Sequence, residues 1–301
     1  MALPRTAQRR VFRPARRVSW GTRIFAALVF LLAVGAMAAF VVLVLPEQIA
    51  TLTQSESREL SAARLSAANV SASVTTLWAD IAPGGSVSLS DNRLQQDLAL
   101  AQSTEKAAED ALAHAQLAQS YIAQIDGIPF QLHPNVSVSA DRPALRHLES
   151  ALGLAIKLSH GAYLQLAIAR HANQDGQSII GTLNSSLAQH DWTTASRTAA
   201  AVQQDLKSQE SAAADPEALL DPLWVNWMDA LIGYADSAQQ YGLSVAAGQT
   251  QTAQQLAHAM ATANDQTGAS YRAAQSAAPA WQQKKVQPLS DSLRAELAAA
   301  G

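Results

Sequence analysis

The chain has 301 residues, with 21 Lys+Arg against 24 Asp+Glu, a formal charge of −3 and no cysteine. The absence of cysteine excludes disulfides, thiolate metal sites, cysteine nucleophiles and lipid attachment through an N-terminal cysteine. Aromatic residues make up only 5% of the chain while Ala, Leu and Gln abound, and no stretch alternates β-branched and aromatic residues, so an all-α fold is predicted.

Residues 1–23 form a basic tail containing Arg5, Arg9, Arg10, Arg13, Arg16, Arg17 and Arg23 and no acidic residue. Next comes an apolar run of 22 residues, Ile24 to Leu45, without a charged, amide or hydroxyl side chain. As a helix it would be about 33 Å long, enough to cross a hydrocarbon core of about 30 Å. Arginines on the N-terminal flank set that flank as cytoplasmic and predict a single-pass plasma (inner) membrane protein whose remainder is extracytoplasmic. Trp20 sits where an interfacial aromatic would mark the inner boundary.

A cleaved signal peptide normally has an apolar region of about 7–15 residues. Here the run is longer, and cleavage after Ala36-Met37-Ala38 would leave the new terminus inside the bilayer, so an uncleaved signal anchor is expected. Arg9-Arg10 resembles part of a twin-arginine export signal, but Arg13 and Pro14 stand where that signal prefers Leu and Lys. Gly35 and Ala39 make a small-xxx-small pair, a candidate homodimer contact within the anchor.

Beyond the anchor 14 basic residues face 24 acidic ones, a balance near −10. A domain this acidic is a poor partner for nucleic acid. Residues 46–126 read as a first helical hairpin, or stalk. Ile49, Leu60, Ala63, Ala67, Val70, Val74, Leu77 and Ile81 share one stripe, and only Pro46 separates it from the anchor, so the membrane helix is expected to run on, bent, as a stalk. Pro83-Gly84-Gly85 stops that helix, Ser90 or Asp91 caps the next, and Leu94, Leu98, Ala101, Ala108, Leu112, Ala115, Ile122 and Ile125 give it a stripe of heptad-like, coiled-coil-like spacing.

Residues 127–142 read as a long loop, with one candidate extended segment at Val136 to Ser139. Residues 143–301 read as a helical bundle. Asp141 and Pro143 mark a helix start, with Leu145, Leu148, Leu152, Ile156, Tyr163 and Leu166 inward and a candidate break from Asn173 to Gly176. Further helices are expected from Trp192 to about Ser211, through Leu219 to Tyr241, from Thr250 until Pro279, and after Pro288. Laying Leu187–Val202 over Val245–Met260 pairs five identical residues, which makes two related hairpins a candidate duplication.

Candidate chemistry is sparse. His114, His133, His147, His160, His171, His190 and His258 form no metal-binding pattern. Glu109-Asp110 reads as a solvated face. No nucleophile elbow, phosphate loop or dinucleotide fingerprint appears, so neither an enzyme nor a cofactor is expected. Asn69, Asn135 and Asn184 begin N-x-[ST] triplets, relevant only where exported chains are glycosylated. Trp224, Trp227 and Met228 form the densest apolar cluster outside the anchor, readable as core or as an interaction patch.

In outline the arrangement of basic tail, single span and long amphipathic helices resembles the external helical-bundle domains of bacterial receptors, although no second span is expected here. The reading that follows is a membrane-anchored, non-enzymatic interaction, scaffold or sensor-like module of the cell envelope. Its expected partners are the lipid bilayer and either a second copy or another envelope protein. The alternatives are a small-molecule-binding bundle, with a pocket near the loop and the Trp224 region, and an enzyme on an unfamiliar helical scaffold.

Overall fold

Pro46 has no N–H and would leave a gap in an α-helical ladder immediately after the apolar run. In the computed structural model, which describes residues 20–128 and 136–301, the chain absorbs this gap without stopping. Helix α1 (Trp20–Ala39) passes through a π-turn (Phe40–Val44) into α2 (Leu45–Ile81), with the Leu45 N–H donating to Phe40 O. The wider i→i+5 turn takes up the irregularity, so the apolar helix α1 and α2 form one continuous rod.

The predicted turn follows at Pro83 to Gly85, where Gly85 has φ of 78°. A 3₁₀ turn (Ser86–Ser88) then leads to α3 (Asp91–Asp126), which packs back along α2. Leu60, Ala63, Ala67, Val70, Val74 and Leu77 of α2 are buried, as are Leu94, Ala101, Ala108, Ala115, Ile122 and Ile125 of α3. Alanine at so many contacts lets the axes approach closely, and each such contact buries less apolar area than leucine would.

Helix α4 (Val136–Ser178) begins before the predicted start at Asp141 and carries Pro143 inside it, so Val136 to Ser139 are helical rather than extended. No break occurs from Asn173 to Gly176. The irregularity comes later, as a π-turn (Ile179–Leu183) leading to α5 (Asn184–Ala188). Buried residues on α4 extend past the predicted stripe to Ala151, Ala155, Leu158, Ala162, Ile168, Ala169 and Ala172. A wide buried face is required because α4 packs against α2, α3, α6 and α9.

Helices α6 (Trp192–Ala213), α7 (Pro222–Ala246), α8 (Thr250–Lys285) and α9 (Gln287–Ala300) complete the fold. Aspartates cap α6, the 3₁₀ turn Pro216–Ala218 and α7: Asp191 accepts from Thr194 N, Asp215 from Glu217 N and Asp221 from Leu223 N, satisfying orphan amides at these three starts. Pro279 does not end α8. Gln282, one turn later, donates to Trp78 O at 2.8 Å, a tertiary anchor that offsets the missing backbone bond. Val286 keeps right-handed angles, so α8 leads directly into α9.

The whole is all-helical, with no strand among the described residues, and its packed part consists of six rods: α2, α3, α4 with α5, α6, α7, and α8 with α9. One apolar cluster, including Leu60, Ala115, Ile122, Leu145, Leu148 and Ala300, fills the half nearer α1. A larger one, including Leu77, Leu94, Leu158, Leu166, Leu206 and Trp224, fills the other.

The two connections singled out by the sequence overlay have the same backbone geometry. His190 and Gly248 have φ of 59° and 71°. Asp191 N donates to Ser186 O and Gln249 N to Ser244 O, both at 2.9 Å. These are Schellman turns, a common way to end a helix, so the shared geometry follows from the turn and carries no argument for or against descent.

Gly161 lies where the α6–α7 connection crosses α4. A Cβ there would sit 2.9 Å from Glu217 O and 2.7 Å from Leu219 Cδ1, while Leu219 itself holds φ of 48°. Backbone cannot yield as a flexible side chain does. Gly161→Ala is therefore expected to destabilise the protein by about 1–3 kcal/mol, read as a lower urea midpoint; an unchanged midpoint would show that the connection moves freely.

Candidate functional site

The residues predicted to matter fall into three groups. Along the apolar run, Ile24 is 47% exposed, a Cβ on Gly35 would meet nothing within 4 Å, and Ala39 and, just before it, Arg23 are also exposed. Leu45, at the far end of the run, is buried. Arg5, Arg9, Arg10, Arg13, Arg16 and Arg17 lie outside the described residues, as do His133, Asn135 and the rest of residues 129–135 of the predicted loop.

The tryptophan patch is not at the surface. Trp224, Trp227 and Met228 are 2%, 6% and 1% exposed. The Trp224 and Trp227 rings meet edge-on at 5.8 Å, and Tyr271 of α8 closes the cluster at 5.6 Å from each. On the first turns of α7, packed between α6 and α8, this spacing serves the core.

One edge of that cluster opens into a cleft where α2, α4, α7 and α8 converge. Trp78, Trp224 and Trp281 form its walls, with Gln165, Asp221 and Gln282 among them. The cleft is shallow and half open to solvent, and its room for a water-sized group is only about 10 Å³, at the lower limit for a single water. Gly85 is needed at its rim, since a Cβ there would lie 2.7 Å from the Trp224 indole nitrogen. The Gln165 amide donates to Leu219 O at 3.0 Å. Its oxygen is buried without a partner, although the residue is only 4% exposed. Asp221, 5% exposed, caps α7 through one oxygen. The Trp78 indole N–H is engaged by Leu158 O. No Lys, Arg or His lines the cleft.

Two further sets of titratable groups brace the helices. Histidines bridge rods: His114 to Glu59 at 2.5 Å joins α3 to α2, His147 to Glu296 at 2.7 Å joins α4 to α9, and His160 to Glu105 at 2.9 Å joins α4 to α3. In the opposite sense, like charges meet across α6. Burial first, and then the neighbouring Asp205, push the Asp175 carboxyl up to about 7. Glu210 is raised by burial and by Asp229. On α2, Glu56 is buried, and this raises it above the usual carboxylate range, reinforced by Asp141 and opposed by Arg64. Among the described residues no three His, Asp or Glu side chains are grouped to hold a metal.

Asn69 and Asn184 are both exposed on helices, and Asn184 accepts a hydrogen bond from the Tyr234 hydroxyl. Compared with protein-family profiles, with curated proteins and with solved structures, the chain matches none.

Sequence reasoning pointed to Trp224 but missed Gln165, Trp281 and Gln282. An isolated glutamine on an apolar stripe of α4 was the available signal for Gln165. Trp281 and Gln282 were hidden by the expectation that α8 ends at Pro279.

Proposed function

We propose that the chain is a single-pass, membrane-anchored, extracytoplasmic helical bundle acting as a non-enzymatic interaction, scaffold or sensor-like module of the cell envelope. The observation that carries this reading is the union of two unlike surfaces on one rod. Its first part, α1, exposes Phe25, Phe30, Leu31 and Leu32 at 65–72%, which only a lipid or protein environment would match. Its second part, α2, is built into the bundle core. A bilayer gripping α1 would thereby hold the bundle close to the membrane, while the arginines before it favour an inward N-terminus.

The absence of native cysteine makes the orientation directly measurable. Ser276→Cys on α8 is expected to react with a membrane-impermeant maleimide in intact cells, and Thr6→Cys only after lysis; the reverse pattern would overturn the topology. For the interaction role, in-cell cross-linking should capture a distinct neighbour, or a second copy, with the full chain and lose it when residues 24–45 are deleted. Identical products with and without the anchor would remove the membrane-proximal role.

A second reading, a small-molecule-binding bundle, is favoured by the cleft at Trp224 and its unpartnered Gln165 oxygen. Pockets between bundle helices with a few buried polar groups are where such ligands sit.

A further inference from the structure

We infer that the cleft between α2, α4, α7 and α8 binds a protonated primary amine, an inference that rests on the second reading, of a small-molecule-binding bundle. The polar side chains of the cleft are arranged to receive hydrogen bonds. Both glutamine amides spend an N–H on backbone carbonyls, Gln165 on Leu219 O and Gln282 on Trp78 O. These bonds fix the carboxamides and leave their oxygens as acceptors. The Gln165 oxygen is buried and lacks a donor, and a buried acceptor without a partner is costly enough that native structures seldom keep one.

Asp221 adds charge. One of its oxygens is held by Leu223 N, yet its full negative charge exceeds the roughly half-unit positive charge of a helix N-terminus. With no cationic side chain in the lining, that charge has no counter-ion within the cleft. The remaining walls are the indoles of Trp78, Trp224 and Trp281, and aromatic faces attract cations.

An ammonium group satisfies all of these demands at once. It carries three donors and a positive charge, and its size matches the single water-sized space. Carboxylates and phosphates would meet the Asp221 charge with no cationic side chain in the lining to offset it. A quaternary ammonium is too large for that space and brings no N–H. Trp281 is only half-buried, which makes its side the route by which the rest of an amine would leave the cleft.

The test uses the full chain in detergent and methylammonium chloride as the probe, read by tryptophan fluorescence and melting temperature. A ligand of two heavy atoms confines binding to about 10 mM or weaker, so tetramethylammonium chloride at equal ionic strength is the control. Asp221→Asn keeps a good N-cap residue and so preserves α7, while removing the charge; circular dichroism verifies the fold.

The expected result is a saturable response to methylammonium, none to tetramethylammonium, and a midpoint weakened at least about tenfold in Asp221→Asn. Equal responses to both salts, or an unchanged midpoint in Asp221→Asn, would overturn the assignment. Acetamide, a neutral molecule whose amide N–H groups can donate, separates the two levels. Saturable stabilisation by acetamide alone, lost in Gln165→Met, overturns the amine and leaves a ligand-binding cleft. A blank response to both probes removes amine and cleft together.

Discussion

Trp224→Ala is expected to lower the stability of the bundle by about 3–5 kcal/mol. The indole is 2% exposed, so its removal forfeits nearly all the transfer free energy of the largest side chain and leaves a void. Two edge-on partners, Trp227 and Tyr271, lose their contact, and such pairs contribute about 0.5–1.5 kcal/mol each beyond area. Domains typically hold only about 5–15 kcal/mol in all, so the variant should unfold at a much lower urea concentration, with an unchanged slope if the unfolding remains two-state. Leu243→Ala is the matched control. Leu243 is 55% exposed, and its loss should stay within about 0.5 kcal/mol. A Trp224→Ala shift as small as the control's would return the tryptophans to the surface and revive the interaction patch.

Asp175→Asn is expected to stabilise the protein in neutral and alkaline solution and to change nothing in acid. In the folded chain the Asp175 carboxyl is raised from 3.8 to about 7, by burial and then by Asp205 across the α4–α6 contact. Between those values the folded state holds a proton that the unfolded chain has released. Stability therefore falls as pH rises through this window and remains low above it.

Taken whole, that shift corresponds to about 4 kcal/mol. Because solvent reaches part of Asp175 and screens it, about 1–2 kcal/mol is the expected effect. The melting temperature of Asp175→Asn should accordingly exceed that of the unaltered protein by several degrees at pH 8, with the difference vanishing near pH 4. Glu210 and Glu56 are raised in the same sense, so the difference between the two proteins, rather than either curve alone, isolates Asp175. A gap that is constant with pH would show that Asp175 and Asp205 do not share a proton.

Much of the architecture was written locally. The length and purity of the run from Ile24 to Leu45, the three- and four-residue spacing of apolar positions in α2 and α3, and the stop at Pro83-Gly84-Gly85 with the cap at Ser90 act within a turn or two of the backbone. They fixed the all-helical class and the start of α3. Proline was read too strictly. A local rule starts a helix at Pro143 and ends one at Pro279 because a proline inside a helix forfeits one hydrogen bond, but that loss is small beside the packing of a long helix against several neighbours. The chain therefore continued, with α4 starting early and α8 running on to bring Trp281 and Gln282 to Trp78.

The candidate site depended on this distant registration. Trp224 was legible as a large apolar residue, but a sequence has no term for which oxygen is left without a donor when four helices converge. Gln165 became an unpartnered acceptor only because Leu219 crosses α4 at Gly161, and Asp175 became an unusual acid only because α6 placed Asp205 opposite it. By itself the sequence determined the class of fold, the apolar run and the punctuation of the bundle, since these depend on side-chain periodicity and local backbone chemistry. The tertiary structure alone decided which polar groups are buried, paired or left facing a like charge, because burial and pairing arise between residues that the chain keeps far apart.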